Sequence, residues 1–196
     1  MTRPRVYVDT NAHIPYYLSD LFGFLATYSV IDLLWSAYLV DEILEVVARV
    51  HGPDSVKPRV AQWAALRAAF PEGEVTSERW QSRIADASGV DDDDLPHQAA
   101  ALAGGASVLV TSDRAGFPAG GLARHGVLVL TPDQCLVELL LDDPLRVAET
   151  LVSRCAMFRR APQSLDEYLD VLARSVPRFA RAAAEVCAHA RDLGAD

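Results

Sequence analysis

Hydrophobic and polar positions along this chain follow two periods that take turns. Residues 5–9, "RVYVD", form a short apolar run that fits a buried strand and finishes on an acid. From residue 12 to about 28 the apolar spacing predicts a helix, with Pro15 in its first turn, where a missing N–H does little harm. "SVIDLLW" (29–35) reads as a second short strand. Ser36 then suits the N-cap of a helix from 37 to about 50, which "HGPD" ends. Residues 56–70 read as an amphipathic helix closed by Pro71 and Gly73, 74–76 as a strand, and 77–86 as a short helix.

The window "GVDDDDLPHQAAALAGGASVLVTSD" carries the most information. An acidic loop leads into an Ala-rich helix (94–103), a Gly pair stops it, and "SVLVT" is a buried strand ending near Asp113. "GVLVLTPDQCLVELL" repeats the plan, with a strand at 127–130 and a helix at 133–141. Strands alternating with helices predict an α/β fold with a central parallel sheet of four to five short strands. The tail from 144 onward carries only helical patterns, broken near Pro162 and Pro177. The expected organisation is therefore a domain over 1–143 and a helical extension over 144–196 packed on it.

Composition narrows the picture. With 196 residues, 51% of them hydrophobic and 23% charged, the chain is ordinary for one globular domain. The N-terminus lacks the apolar stretch of a signal peptide. Residues 21–40 are apolar enough to suggest a membrane span, but Asp32 sits inside, and a central Asp costs roughly 2.5–3.5 kcal/mol. Two buried elements are expected there instead, in a cytoplasmic protein with no membrane partner. Cys135, Cys155 and Cys187 lie far apart without CxxC spacing, as in a reducing compartment. The net charge of −9 argues against a protein that coats nucleic acid by bulk charge, though not against a nucleic-acid enzyme.

The acids are the candidate chemistry. In open parallel sheets, functional groups gather beyond the carboxyl ends of the strands. Asp9 ends the first strand and Asp113 follows "SVLVT", so both are expected at one edge. Asp94 opens the helix that feeds that strand, and Glu42 lies on a polar stripe with Asp41 and Glu45. Each has a plain reading: Asp9 as a helix cap, Glu42 as a solvated helix residue, Asp91 to Asp94 as an acidic helix start, Asp113 as a turn residue. Four carboxylates together repel one another unless a hard divalent cation, which prefers oxygen ligands, sits among them.

Taken in order, these stretches resemble the PIN-domain family, and within it the VapC-like ribonuclease toxins of type II toxin–antitoxin systems. "VYVDTN" is similar to the family's opening strand with its Asp-x-Asn; "WSAYLVDEI" to the helix bearing its second acid; "DLPHQAAALAGGASVLVTSD" to its third acid, small-residue helix and strand; "TSDRAGFP" to its Thr-x-Asp. "GVLVLTPDQCLVELL" fits the family's last strand and helix, and "RRAPQSLDEYLDVLARSVPRFA" resembles an extension carried by one branch. One departure stands out. In that branch the third acid is usually followed by a polar or basic residue and His; here Leu95 and Pro96 follow, and His97 comes one place later. Pro96 is compatible with a first helical turn.

The resemblance implies a PIN-like three-layer α/β/α fold and metal-dependent cleavage of RNA. Asp9, Asp94 and Asp113 would hold Mg²⁺ or Mn²⁺, with Glu42 ligating through water or orienting the nucleophile. Asn11, Thr111 and Ser112 would orient the carboxylates, Asp91 and Asp92 assist or deepen the negative field, and Arg114 contact a phosphate. Arg49, Lys57, Arg59, Arg79 and Arg83 are candidates for a basic rim. An RNA substrate, a cognate antitoxin and a homodimer are the implied partners. Rival readings fit less well. An aspartyl-nucleophile phosphatase needs an acid where Asn11 stands, and a phosphoacceptor receiver needs a late Lys, whereas the only lysine is Lys57. A PIN nuclease outside a toxin–antitoxin pair, or a weakly active PIN binding module, remains as the alternative.

Overall fold

The structure, a computed structural model, describes residues 3–88 and 91–193, with side chains as far as His189. Gly89 and Val90, which open the acidic window, lie outside the described residues. Four strands, β1 (Arg5–Val8), β2 (Asp32–Leu34), β3 (Val108–Val110) and β4 (Leu128–Leu130), form a parallel sheet in the order β2-β1-β3-β4. The register pairs Tyr7 with Leu34 and with Leu109, and Val110 with Leu130. Val6, Tyr7 and Val8 are all fully buried, which explains why β1 reads as a continuous apolar run rather than an alternating one.

Successive β1 side chains enter different cores, as the two-residue period of a strand requires. Val6 and Val8 join residues of α2 (Tyr16–Thr27), α8 (Pro132–Asp142), α9 (Pro144–Ala156), α10 (Leu165–Ala173) and α11 (Pro177–Leu193). Tyr7 joins residues of α3 (Ala37–His51), α4 (Val56–Ala69), α6 (Leu95–Gly104) and α7 (Ala119–Ala123). The helices of 144–193 contribute Val147, Leu151, Tyr168, Leu172 and Phe179 to the core that also holds Val6 and Val8. No helix among the described residues is long and apolar enough to cross a membrane.

The winding positions the site. The chain leaves β1 through α1 (Thr10–His13) and α2 to reach β2 on one side. It then returns past β1 through α3–α6 to reach β3 on the other side. The direction of winding reverses between β1 and β3, and a crevice opens at the carboxyl ends of such a pair.

Several elements differ from the pattern. The helix expected over 12–28 is two helices, because Pro15 has no N–H to donate and takes an extended ψ of 116°, so α2 starts afresh from its carbonyl. The strand expected at 74–76 is a single bridge between Glu74 and Trp35. There Gly73 packs so closely on β2 that a β-carbon would overlap Leu33 O. The helix expected over 77–86 is α5 (Ser77–Gln81) followed by a 3₁₀ turn, Ile84–Asp86. The short helix α7 had no apolar period to announce it.

Candidate active site at the β1–β3 seam

Asp9 leaves the end of β1 with its N–H on Val110 O at 2.8 Å, which extends the pairing with β3 by one residue. It occupies the N-cap position of α1, yet its side chain makes no capping bond. Oδ2 instead accepts from Thr111 Oγ1 at 2.9 Å and Asn11 Nδ2 at 2.5 Å. Asn11 Nδ2 also reaches Thr111 Oγ1 at 3.0 Å, and its Oδ1 accepts the Ser112 N–H at 2.8 Å. Asn11 lies inside α1 and spends its whole amide on tying the ends of β1 and β3 together, and with the Asp9 side chain on Thr111 and Asn11 the helix-cap reading of Asp9 does not hold. Ser112 contributes its backbone, and its side chain is exposed. Burial raises the Asp9 pKa despite the opposing charge of His97 and the Thr111 hydrogen bond.

Glu42 comes in from α3, whose start is set by the Ser36 cap on Leu39 N at 3.2 Å. Glu42 Oε2 accepts from Thr10 Oγ1 and lies 2.7 Å from His97 Nε2. Burial alone would raise its pKa, but the hydrogen bonds from His97 and Thr10, with the His97 charge, hold the carboxyl below its usual value. Its neighbours Asp41 and Glu45 line a groove of about 390 Å³ with Tyr38 and Arg49, on which Glu42 also opens.

Asp94 and Asp113 meet around Gly116. A β-carbon there would overlap Asp94 Oδ2 and lie 3.2 Å from Asp113 Oδ2. Asp113 Oδ1 is held by the N–H groups of Ala115 (2.9 Å) and Gly116 (3.2 Å), while its own N–H goes to Thr111 Oγ1 at 3.0 Å. The turn role foreseen for Asp113 is thus real, but it uses one oxygen and leaves the other facing Asp94. Asp94 ends a 3₁₀ turn, Asp92–Asp94, that runs straight into α6. Its pKa is raised to about 6, first by burial, then by the charges of Asp9, Asp91 and Asp113. Asp94 therefore feels the charges of Asp9 and Asp113, and Asp9 in turn feels Glu42.

The remaining candidates sort themselves by exposure. Asp91 is exposed and accepts from Asp93 N at 3.1 Å at the head of the turn; Asp92 and Arg114 are exposed beside the cluster. Arg59 is not a rim residue. It is 3% exposed, donates to Ile14 O at 2.5 Å and lies 5.1 Å from the Tyr16 ring centre, because its helix face turns inward against the start of α2. Arg79 caps the end of α6 through Ala103 O at 2.7 Å, and Arg83 pairs with Asp86 at 2.6 Å. Of these cations, Arg49 lines the groove beside Glu42.

Sequence reasoning noted His97 only as a displaced residue and gave no role to it, to Tyr7 or to Thr10. His97 is 1% exposed, 2.7 Å from Glu42 Oε2, 4.0 Å from Asp9 Oδ1 and 3.1 Å, through Nδ1, from Tyr7 OH. A signal was present: a histidine on the Ala-rich face of a helix is buried, and a buried imidazole must find polar partners. Among the described residues, no group of three or more His, Cys, Asp and Glu side chains is closed into a metal-holding arrangement.

Comparison with known proteins adds one similarity. No curated protein and no solved structure matches the chain. A family model described as the VapC50 C-terminal domain matches residues 132–185, under half of the chain, which places the likeness in α8 to α10 and the first half of α11.

Proposed function

We propose that the chain is a Mg²⁺- or Mn²⁺-dependent endoribonuclease with a PIN-like three-layer α/β/α fold, the toxin of a VapBC-type pair. One observation carries the reading. Asp9, Asp94 and Asp113, with Glu42, converge on the β1–β3 switch point, where burial first, and then the charges of Asp9, Asp91 and Asp113, raise Asp94 to about 6. The donor set is all carboxylate oxygen, the chemistry that hard divalent cations select. The likeness of 132–185 to the VapC50 C-terminal domain supports the toxin assignment; a division into a nuclease domain (1–143) and a helical extension (144–196) belongs to the same proposal. An antitoxin, an RNA substrate, a homodimer and a cytoplasmic location belong to the same proposal.

Asp9, Asp94 and Asp113 would hold the cation, with Glu42 beside them; when bound, it acidifies water and stabilises charge on phosphoryl oxygens. The chain's own residues fix the carboxylates. Thr111 and Asn11 hold Asp9 Oδ2, the Ala115 and Gly116 N–H groups hold Asp113 Oδ1, and Thr10 and His97 hold Glu42 Oε2. Asp9, Asp113 and Glu42 are each left with a second oxygen for the cleft. Arg114, exposed next to Asp113, would meet a phosphate of the substrate. No side chain needs to act as a covalent nucleophile, and Asn11 cannot serve as the acid that an aspartyl-nucleophile mechanism needs.

Induction of the wild-type chain in a bacterial host is expected to arrest growth and leave discrete RNA cuts on sequencing, while Asp94→Ala does neither. Equal arrest by both forms would show that the acids are not the source of activity.

A further inference from the structure

His97 is a buried group that touches the acid cluster at two carboxylates, Glu42 and Asp9. Its ring is backed by a chain of hydroxyls. The Leu39 N–H donates to Ser36 Oγ at 3.2 Å as the α3 cap. Ser36 is 1% exposed, and its Oγ lies 3.2 Å from the Tyr7 oxygen. The Tyr7 hydroxyl lies 3.1 Å from His97 Nδ1. Nε2, as an N–H, faces Glu42 Oε2 at 2.7 Å. Thr10 donates to the same oxygen, and among the described residues no hydrogen bond goes to Oε1.

His13, also buried, meets the Ser19 hydroxyl at 3.0 Å. His97 instead stands between two carboxylates from separate elements, Glu42 on α3 and Asp9 at the end of β1. The chain begins at the cap of α3, passes through β1 and α6, and returns to α3 at Glu42, so three elements are locked around one carboxylate. We propose that His97 is a positioning residue: held by Tyr7, it fixes Glu42 so that one oxygen is engaged by the protein and the other is presented to the acid cluster. The departure in "DLPHQ", with His97 three places after Asp94, gains a purpose here. After the 3₁₀ turn, that place is the one that faces Glu42. This inference rests on the metal-nuclease reading above.

Calorimetric titration of the full chain with Mn²⁺ tests it, with Asp94→Asn run in parallel. His97→Ala is expected to weaken Mn²⁺ binding by about tenfold, the usual effect of losing a residue that orients a ligand, while His97→Gln, whose amide can donate to Glu42, stays within about threefold of wild type. Nitrogen NMR of the imidazole in alkaline buffer is expected to show the Nε2–H tautomer in the wild type and a mixture in Tyr7→Phe. If His97→Ala binds Mn²⁺ like the wild type while Asp94→Asn does not, the positioning role is wrong and the metal reading stands. Equal losses in His97→Ala and His97→Gln also overturn it, since packing alone would then explain both. If Asp94→Asn binds like the wild type, the metal reading itself fails and takes this inference with it. Should His97→Ala not fold, Tyr7→Phe decides: unchanged affinity and an unchanged tautomer refute the proposal.

Discussion

All four strands deliver a polar residue to the same edge of the sheet, and the inner and outer pairs use it differently. After β2, Ser36 caps α3. After β4, Thr131 caps α8 in a reciprocal box with Gln134. Each bond satisfies a helix N–H that would otherwise lack a partner, at about 1 kcal/mol per cap. After β1, Asp9 holds the same N-cap position and caps nothing; after β3, Asp113 folds a loop with one oxygen and turns the other toward Asp94. The outer ends stabilise helices. The inner ends gather like charges, which costs stability and makes sense only if something else is gained.

The contrast can be broken from its inner side first. Asp9→Asn and Asp113→Asn each are expected to lower Mn²⁺-dependent RNA cleavage by at least about a hundredfold with the fold intact by circular dichroism, since electrostatic groups at a reacting phosphate are the largest single contributors. Cleavage that survives both changes would remove the inner pair from the chemistry. Gly116→Ala comes next. Its methyl displaces the end of the Asp94 side chain rather than any backbone, so cleavage should fall about tenfold while the melting temperature barely moves. The outer side answers with the reverse pattern: Thr131→Ala should cost about 1 kcal/mol in urea denaturation and leave cleavage per folded molecule unchanged.

The smallest effect concerns pH. Folding raises Asp94 to about 6, so the folded chain holds that proton more tightly than the unfolded chain does. The resulting stability is fully present below the usual carboxylate pKa and is lost as pH rises through about 6. Without metal, Asp94→Asn should therefore melt a few degrees above wild type near pH 7.5, and the gap should close by about pH 4. Melting curves across that range that stay parallel would mean that Asp94 feels no crowding.

The sheet, the Ser36 cap and the placement of acids beyond strand ends were legible in the sequence because each rests on a local signal. Short apolar runs mark the strands, Ser36 precedes a helical period, and Asp9 and Asp113 follow strand patterns. What escaped depends on the third dimension. The helix over 56–70 is less amphipathic than expected: its polar and apolar residues are mixed, and the face it buries holds Arg59 with Trp63. The division at Pro15 was hidden because a proline near a helix start fits two arrangements equally well. His97, Tyr7 and Thr10 lie apart in the chain and meet only once α3, α6 and β1 pack, so no spacing rule joins them to Glu42.

The amide of Asn11 has a consequence for how such a chain is made. Its partners Thr111 and Ser112 come 100 and 101 residues later. During synthesis Asp9, Glu42 and Asp94 all emerge before β3 exists to receive them. Closing so long a loop is slow compared with forming the local helices. A growing chain therefore carries most of its acids for several seconds, at the usual pace of translation, before the seam that aligns them can shut. A ribosome that builds this protein is handling an unassembled site until β3 has emerged.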